Sequence, residues 1–197
     1  AERLSREAVR KLYDSQPVVR PVIDKFIPQW SSESADEVPS EVHLFTMHAA
    51  LAALWKQWGI EPDSVLGIGV GQVSAACVAG VMSWDDGLTL MIERQRVLGT
   101  KDSDRDAALD HFEAAVDAIS YYPPSVPLVC SLTGESAPIH RSLGGSYWRR
   151  HCVESALVHE SLHALLETDC DVLLELSPET APPRELLEVD QQTLPQC

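Results

Sequence analysis

Residues 67–71 read Gly67-Ile68-Gly69-Val70-Gly71, inside the longer stretch VLGIGVGQVSAACVAG. An apolar strand here runs into a tight glycine turn and then a helix of small residues. A strand-to-helix turn of that kind presents a nucleophile in the pattern G-x-S-x-G. A serine there attacks an acyl carbon once a neighbouring base takes its proton. In this chain the hydroxyl-bearing position is Gly69, so the turn is kept and the nucleophile is missing.

Other residues with reactive side chains do not replace it by spacing. Ser74 lies on the following helix and points away from the vacated position, which makes it a packing serine. Cys77 sits in an apolar run and reads as core. His159 and His163 are spaced i, i+4, which could hold a metal on one helix face, but their neighbours form an ordinary amphipathic helix. Asp85, Asp86, Glu185 and Glu188 read as solvated charges. No metal site is expected.

The turn needs elements on both sides. Residues 3–14 place Leu4, Val9, Leu12 and Tyr13 at helical spacing. Pro17 and Pro21 punctuate a second helical piece ending near Trp30, and residues 31–40 read as an acidic loop. Residues 41–60 form the strongest helix, with Leu44, Met47, Leu51, Leu54 and Trp55 on one face and Gly59 as its stop. SVLGIG is a short buried strand. Helices follow over 71–80 and 84–98, the second capped by Ser83. A charged connector (100–106) leads to a helix at 107–119. PLVCSL (127–132) and CDVLLEL (170–176) read as the second and third strands, with a helical turn at SYWRRH and a helix over 155–167 between them. Helices alternating with apolar strands predict an α/β fold, a parallel sheet flanked by helices. The proline-rich stretch 181–197 reads as a linker or tail behind a domain spanning 1–180.

Bulk properties exclude several function classes. The chain has 197 residues, 45% hydrophobic and 23% charged, with a formal net charge of -15. That charge argues against a nucleic-acid partner, whose phosphates would be repelled, and favours any basic partner patch. No apolar run is long enough to span a membrane. The N-terminus lacks the apolar core of a signal peptide. Five scattered cysteines without C-x-x-C spacing predict reduced thiols and a cytoplasmic protein.

The stretch ALAALWKQWGIEPDSVLGIGVGQVSAACVAGVMSWDDGLTLMIERQRVL resembles the region around the G-H-S-x-G-E elbow of polyketide synthase acyltransferase domains, which are related to malonyl-CoA:ACP transacylases. YYPPSVPLVCSLTGE, YWRRHCVESALVHESLHALLE and DVLLELSP resemble that family's C-terminal part in the same order, and LYDSQPVVRPVID its first helices. The resemblance covers roughly residues 8 to 180. It implies the α/β-hydrolase-like large subdomain of an acyltransferase. The family's ferredoxin-like small subdomain is deleted, since only seven positions separate Arg94 from Lys101. The segment also begins after the family's first strand and its G-Q-G loop.

Family members load an acyl unit from coenzyme A onto the serine and pass it to the phosphopantetheine arm of an acyl carrier protein. Carried over by position, the vacated nucleophile is Gly69, with Ile68 for the neighbouring histidine and Gln72 for the glutamate. The vacated base position falls near Lys101, in Gly99-Thr100-Lys101-Asp102. Ser131 stands for an asparagine and Ser177 for a glycine. Arg94 keeps the place of the arginine that binds the substrate's free carboxylate, a vestigial carboxylate site. The resemblance therefore implies an inactive domain with no cofactor of its own. Expected partners are the ketosynthase or linker region of the same synthase, an acyl carrier protein bearing the phosphopantetheine, or a trans-acting acyltransferase. The alternative is an altered enzyme that acts on thioesters without a covalent serine intermediate.

Overall fold

The computed structural model describes residues 2–27, 40–137, 143–168 and 170–176. In chain order it places α1 (Glu2–Ser15), a 3-10 turn (Pro17–Val19), α2 (Arg20–Phe26), α3 (Ser40–Gln57), β1 (Val65–Leu66), α4 (Val70–Val78) and α5 (Trp84–Gly99). A second 3-10 turn (Asp102–Asp104) leads to α6 (Arg105–Asp117), β2 (Leu128–Cys130), β3 (Glu135–Ser136), α7 (Gly145–Val153) and α8 (Val158–Leu166). The stretches 28–39 and 177–197, which take in the expected acidic loop, Ser177 and the tail, lie outside the described residues.

The helices fall where apolar periodicity and caps put them. Ser83 is the N-cap of α5: its Oγ accepts the Asp86 backbone N–H at 3.1 Å and donates to the Asp86 carboxylate at 2.6 Å. Gly59, at φ +77°, follows the end of α3 as a left-handed stop. The single-face expectation for α3 needs correcting. Its N-terminal half is buried on several sides, with Val42, Phe45, Thr46, Met47, His48, Ala49 and Ala50 all enclosed. The reason is its position between two cores. Met47, Ala50 and Leu54 pack with Val9, Val19, Ile23 and Ile27 on the N-terminal side. Phe45 joins the larger core formed by Val73, Ala76, Leu90, Met91, Phe112, Leu128 and Trp148.

The sheet is small and mixed rather than wholly parallel. β1 and β2 pair in parallel, Val65 opposite Leu128 and Leu66 opposite Val129. β2 and β3 pair antiparallel, Val129 opposite Ser136 and Cys130 opposite Glu135. The expected third strand at 170–176 is not a strand, and its apolar side chains face out, with Val172 70% exposed. With no strand beside it among the described residues, an apolar run has no ladder to join. The sheet's third member is instead the polar pair Glu135–Ser136, reached by a tight turn after β2. β2 is fully buried at the centre, and β1 feeds directly into the glycine turn.

Candidate functional site

The turn between β1 and α4 is built by close backbone approach. The Gly71 N–H donates to the Ile68 carbonyl at 2.9 Å, and the Gln72 N–H to the Gly69 carbonyl at 3.0 Å. A Cβ on Gly67 would collide with the backbone carbonyl of Gly71 and the amide of Gln72. Only glycine allows the strand to pass that close to the helix start. Gly69 has φ +58° and ψ -124°, a left-handed conformation costly to any residue with a side chain. Yet a Cβ there would meet nothing within 4 Å. The backbone is thus held in the strained shape that aims a nucleophile outward, with open space where the side chain would stand.

That space is a cavity of about 250 Å³ bounded by Ile68, Gly69, Arg94, Leu132, His151, Cys152 and the turn from Val153 to Ala156. Three elements meet there. α4 presents the glycine turn and α5 carries Arg94. The third is the end of α7, which carries His151 and Cys152 and whose following turn is fixed by the Leu157 N–H donating to the Ser131 carbonyl at 2.7 Å. Gly69 and Arg94, matched by resemblance alone, are therefore brought together. Lys101 is not among the residues that bound the cavity; it is exposed ahead of the 3-10 turn at Asp102–Asp104.

Arg94 is mostly enclosed and already engaged. Its Nη1 donates to Glu41 Oε2 at 2.5 Å, and the side chains are 13% and 27% exposed. Gln95 Nε2 donates to the same carboxylate oxygen. Glu41 lies in the first turn of α3, where the helix dipole favours a negative charge. The Arg94 Nε is buried with no hydrogen-bond partner among the described residues.

Nothing in the sequence marks His151 and Cys152 as site residues. His151 is 8% exposed. Burial, reinforced by the positive charge of Arg94, pushes its pKa down to about 4, so the imidazole is neutral at pH 7. Burial raises the Cys152 thiol, and Arg94 offsets this only in part. The thiol is therefore protonated and poorly nucleophilic. Their position after the YWRR segment was the available signal, but nothing in their spacing tied them to a turn some eighty residues earlier.

The other substituted positions pack together. Gln72, fully buried, accepts the Ser131 backbone N–H at 2.9 Å through Oε1. Ser74 does turn away from the cavity. Its Oγ lies 3.0 Å from His48 Nδ1, which ties α4 to α3 in a sealed interior. Burial lowers the His48 pKa to about 4, against the opposing pull of the Leu176 backbone. Cys77 is buried, and burial raises its pKa strongly, as a core thiol should show. His163 approaches Glu167 at 3.3 Å on an exposed surface. Among the described residues, no group of three or more His, Cys, Asp or Glu could hold a metal ion. Nor is any described helix long and apolar enough to cross a membrane.

The sequence model of the acyl transferase domain family matches residues 14–115. The PKS-NRPS hybrid synthetase acdB of Aspergillus candidus is 24% identical over 210 aligned positions, covering 70% of this chain and 8% of that protein. Polyketide synthase GfsE of Streptomyces halstedii is 47% identical over 55 residues, covering 28% of this chain and 1% of that protein. The chain thus spans only a small part of these relatives. Among solved structures, the acyltransferase domain from the second module of the salinomycin polyketide synthase superimposes with a TM-score of 0.78 at 20% identity. That match covers 94% of this chain and 64% of the other. MCAT from Streptococcus pneumoniae superimposes with a TM-score of 0.76 at 15% identity, covering 94% and 88%. With a family match over more than half its length and the fold of solved acyltransferase domains, the chain belongs to the acyl transferase domain family and is similar to the acyltransferase domains of polyketide synthases.

Proposed function

We propose that this chain is a catalytically inactive acyltransferase-like domain of a polyketide synthase with a structural or docking role. The observation that carries this reading is Gly69. The elbow keeps the strained left-handed backbone that would present a nucleophile, and the space in front of it is open, but there is no side chain to acylate. No other described residue takes over. Cys152 holds its proton, Ser74 is sealed in the interior, and Lys101 stands outside the cavity. The deleted small subdomain, inferred from the short Arg94–Lys101 spacing, fits the same reading.

In this role the domain holds spacing beside the ketosynthase or linker region of its synthase, or docks an acyl carrier protein or a trans-acting acyltransferase. It needs no cofactor of its own; the phosphopantetheine arm belongs to the carrier protein. The net charge of -15 favours a partner surface with a basic patch. Calorimetric titration against each flanking domain and the carrier protein tests this, with deletion of the domain scored for product formation. The expected result is binding to at least one partner and loss of product on deletion. No binding and an unaffected product would overturn it.

One observation favours a second reading, an altered enzyme acting on acyl-CoA or carrier-protein thioesters without a covalent serine. A neutral imidazole, His151, shares the cavity with Arg94 and could orient a water. A pKa near 4 makes it a weak base, which is why the inactive reading stands first. Turnover of malonyl-CoA that disappears in both His151→Ala and Arg94→Ala would reverse that order.

A further inference from the structure

Arg94 is the cationic side chain that bounds the cavity beside the elbow, and its charge is already answered inside the protein. A free carboxylate binds guanidinium best as a bidentate pair, through one of two edges of the planar fork. The end-on edge uses Nη1 and Nη2. Here Nη1 is committed to Glu41 Oε2 at 2.5 Å. The side-on edge uses Nε and Nη2. Here Nε is buried with no partner among the described residues, so a ligand carboxylate would have to shed its water to meet it. Glu41 is itself held firmly, by Arg94, by the Gln95 amide and by its place in the first turn of α3. The carboxylate that bounds the cavity, Glu154, is paired with Arg150 through two bonds of 2.7 and 2.9 Å. The rest of the wall mixes apolar Ile68, Leu132, Val153 and Ala156 with the uncharged polar groups of His151, Cys152 and Ser155.

We infer that Glu41 is a specificity-determining residue whose carboxylate holds the place at Arg94 that a ligand's free carboxylate would need, so the cavity rejects dicarboxylic acyl groups and admits small uncharged ones. The inference rests on the reading of Arg94 as a vestigial carboxylate position. The docking proposal and this inference fail separately: loss of partner docking leaves small-molecule binding untouched, and the reverse also holds.

The test uses malonate as the anionic probe and malonamide as its uncharged counterpart, titrated at constant ionic strength and followed by protein NMR shifts. Glu41→Gln removes the charge and keeps the shape. Glu41→Ala also opens the Nη1 edge. The wild type is expected to bind malonate no more tightly than malonamide. Malonate affinity should rise several-fold in Glu41→Gln and by about tenfold or more in Glu41→Ala, because a partly buried guanidinium gains a ligand counter-ion. Malonamide affinity should not change. Adding Arg94→Gln to either variant should abolish the gain. The inference is overturned if neither variant binds malonate better than the wild type, or if the gain survives the loss of Arg94. Glu41→Gln tests the charge alone, and if Glu41→Ala fails to fold, Glu41→Ser, whose short side chain also frees the Nη1 edge, takes its place with the same expected gain.

Discussion

Acid should destabilise this domain in a window to which two of its buried histidines, His48 and His151, contribute. His48 sits between Ser74 and the backbone of Leu176 inside the α3–α4 contact, and His151 lies at the end of α7 beside Arg94. Each has an ordinary value of 6.5 when exposed and about 4 in the fold. Between those values the unfolded chain binds a proton that the fold refuses, so stability falls as the pH drops. The contribution is fully present above 6.5 and is lost progressively as the pH falls toward 4. Going from about pH 7.5 to about pH 5 costs about 2 kcal/mol per histidine, so about 4 kcal/mol for the pair. That is a large share of a typical domain's 5–15 kcal/mol. At about pH 5 most carboxylates are still ionised, so they blur the window little. Urea denaturation at both pH values reads the effect directly. In the double variant His48→Gln/His151→Gln the pH-dependent loss should shrink to below about 1 kcal/mol. An unchanged urea midpoint in the wild type, or an equal loss in the double variant, would refute the reasoning.

Three further substitutions probe the elbow and its frame. Gly69→Ser should fold, because the added Cβ meets nothing within 4 Å, but should cost about 1–2 kcal/mol for the left-handed backbone. Intact-mass spectrometry after incubation with malonyl-CoA should show no acyl adduct, and an adduct would mean that a working base remains nearby. Gly67→Ala should be far more damaging, since its methyl would strike the Gly71 carbonyl; little soluble protein, or a melting temperature well below that of Gly69→Ser, is the expected readout. Ser83→Ala removes the cap of α5 and should cost about 1 kcal/mol by chemical denaturation.

How much of this the sequence could reveal depended on how local the signal was. The helices were legible because their apolar period, the Ser83 cap and the Gly59 stop act within a few residues. The sheet was less so. CDVLLEL has strand-like composition, yet the structure gives it no ladder, while the two-residue β3 is Glu135-Ser136 and carries no apolar signal at all. Strand identity is decided by a neighbour elsewhere in the chain. The burial of α3 on several sides was missed for a related reason, since a helix between two cores loses its one-sided pattern. In the site, Gly69 and Arg94 were legible through their surrounding motif. Glu41 was not, because its meaning comes from a partner 53 residues away. His151 and Cys152 acquire theirs only when the end of α7 closes over the glycine turn.

The position of α3 between two cores also sets how the domain comes apart. Val9, Val19, Ile23 and Ile27 hold α1 and α2 mainly against one side of α3, with Phe26 reaching Phe45 and Lys25 reaching Asp85 of α5. The other side of α3 is anchored in the larger core and pinned through His48 and Ser74. The N-terminal helices are therefore expected to open as a unit ahead of α3 and α4, their amides exchanging with solvent at lower free energy in a native-state exchange experiment. Each such opening bares Met47, Ala50 and Leu54 on a helix that stays formed. A greasy stripe is thus shown to the surroundings without global unfolding, and aggregation during storage or synthesis would begin there.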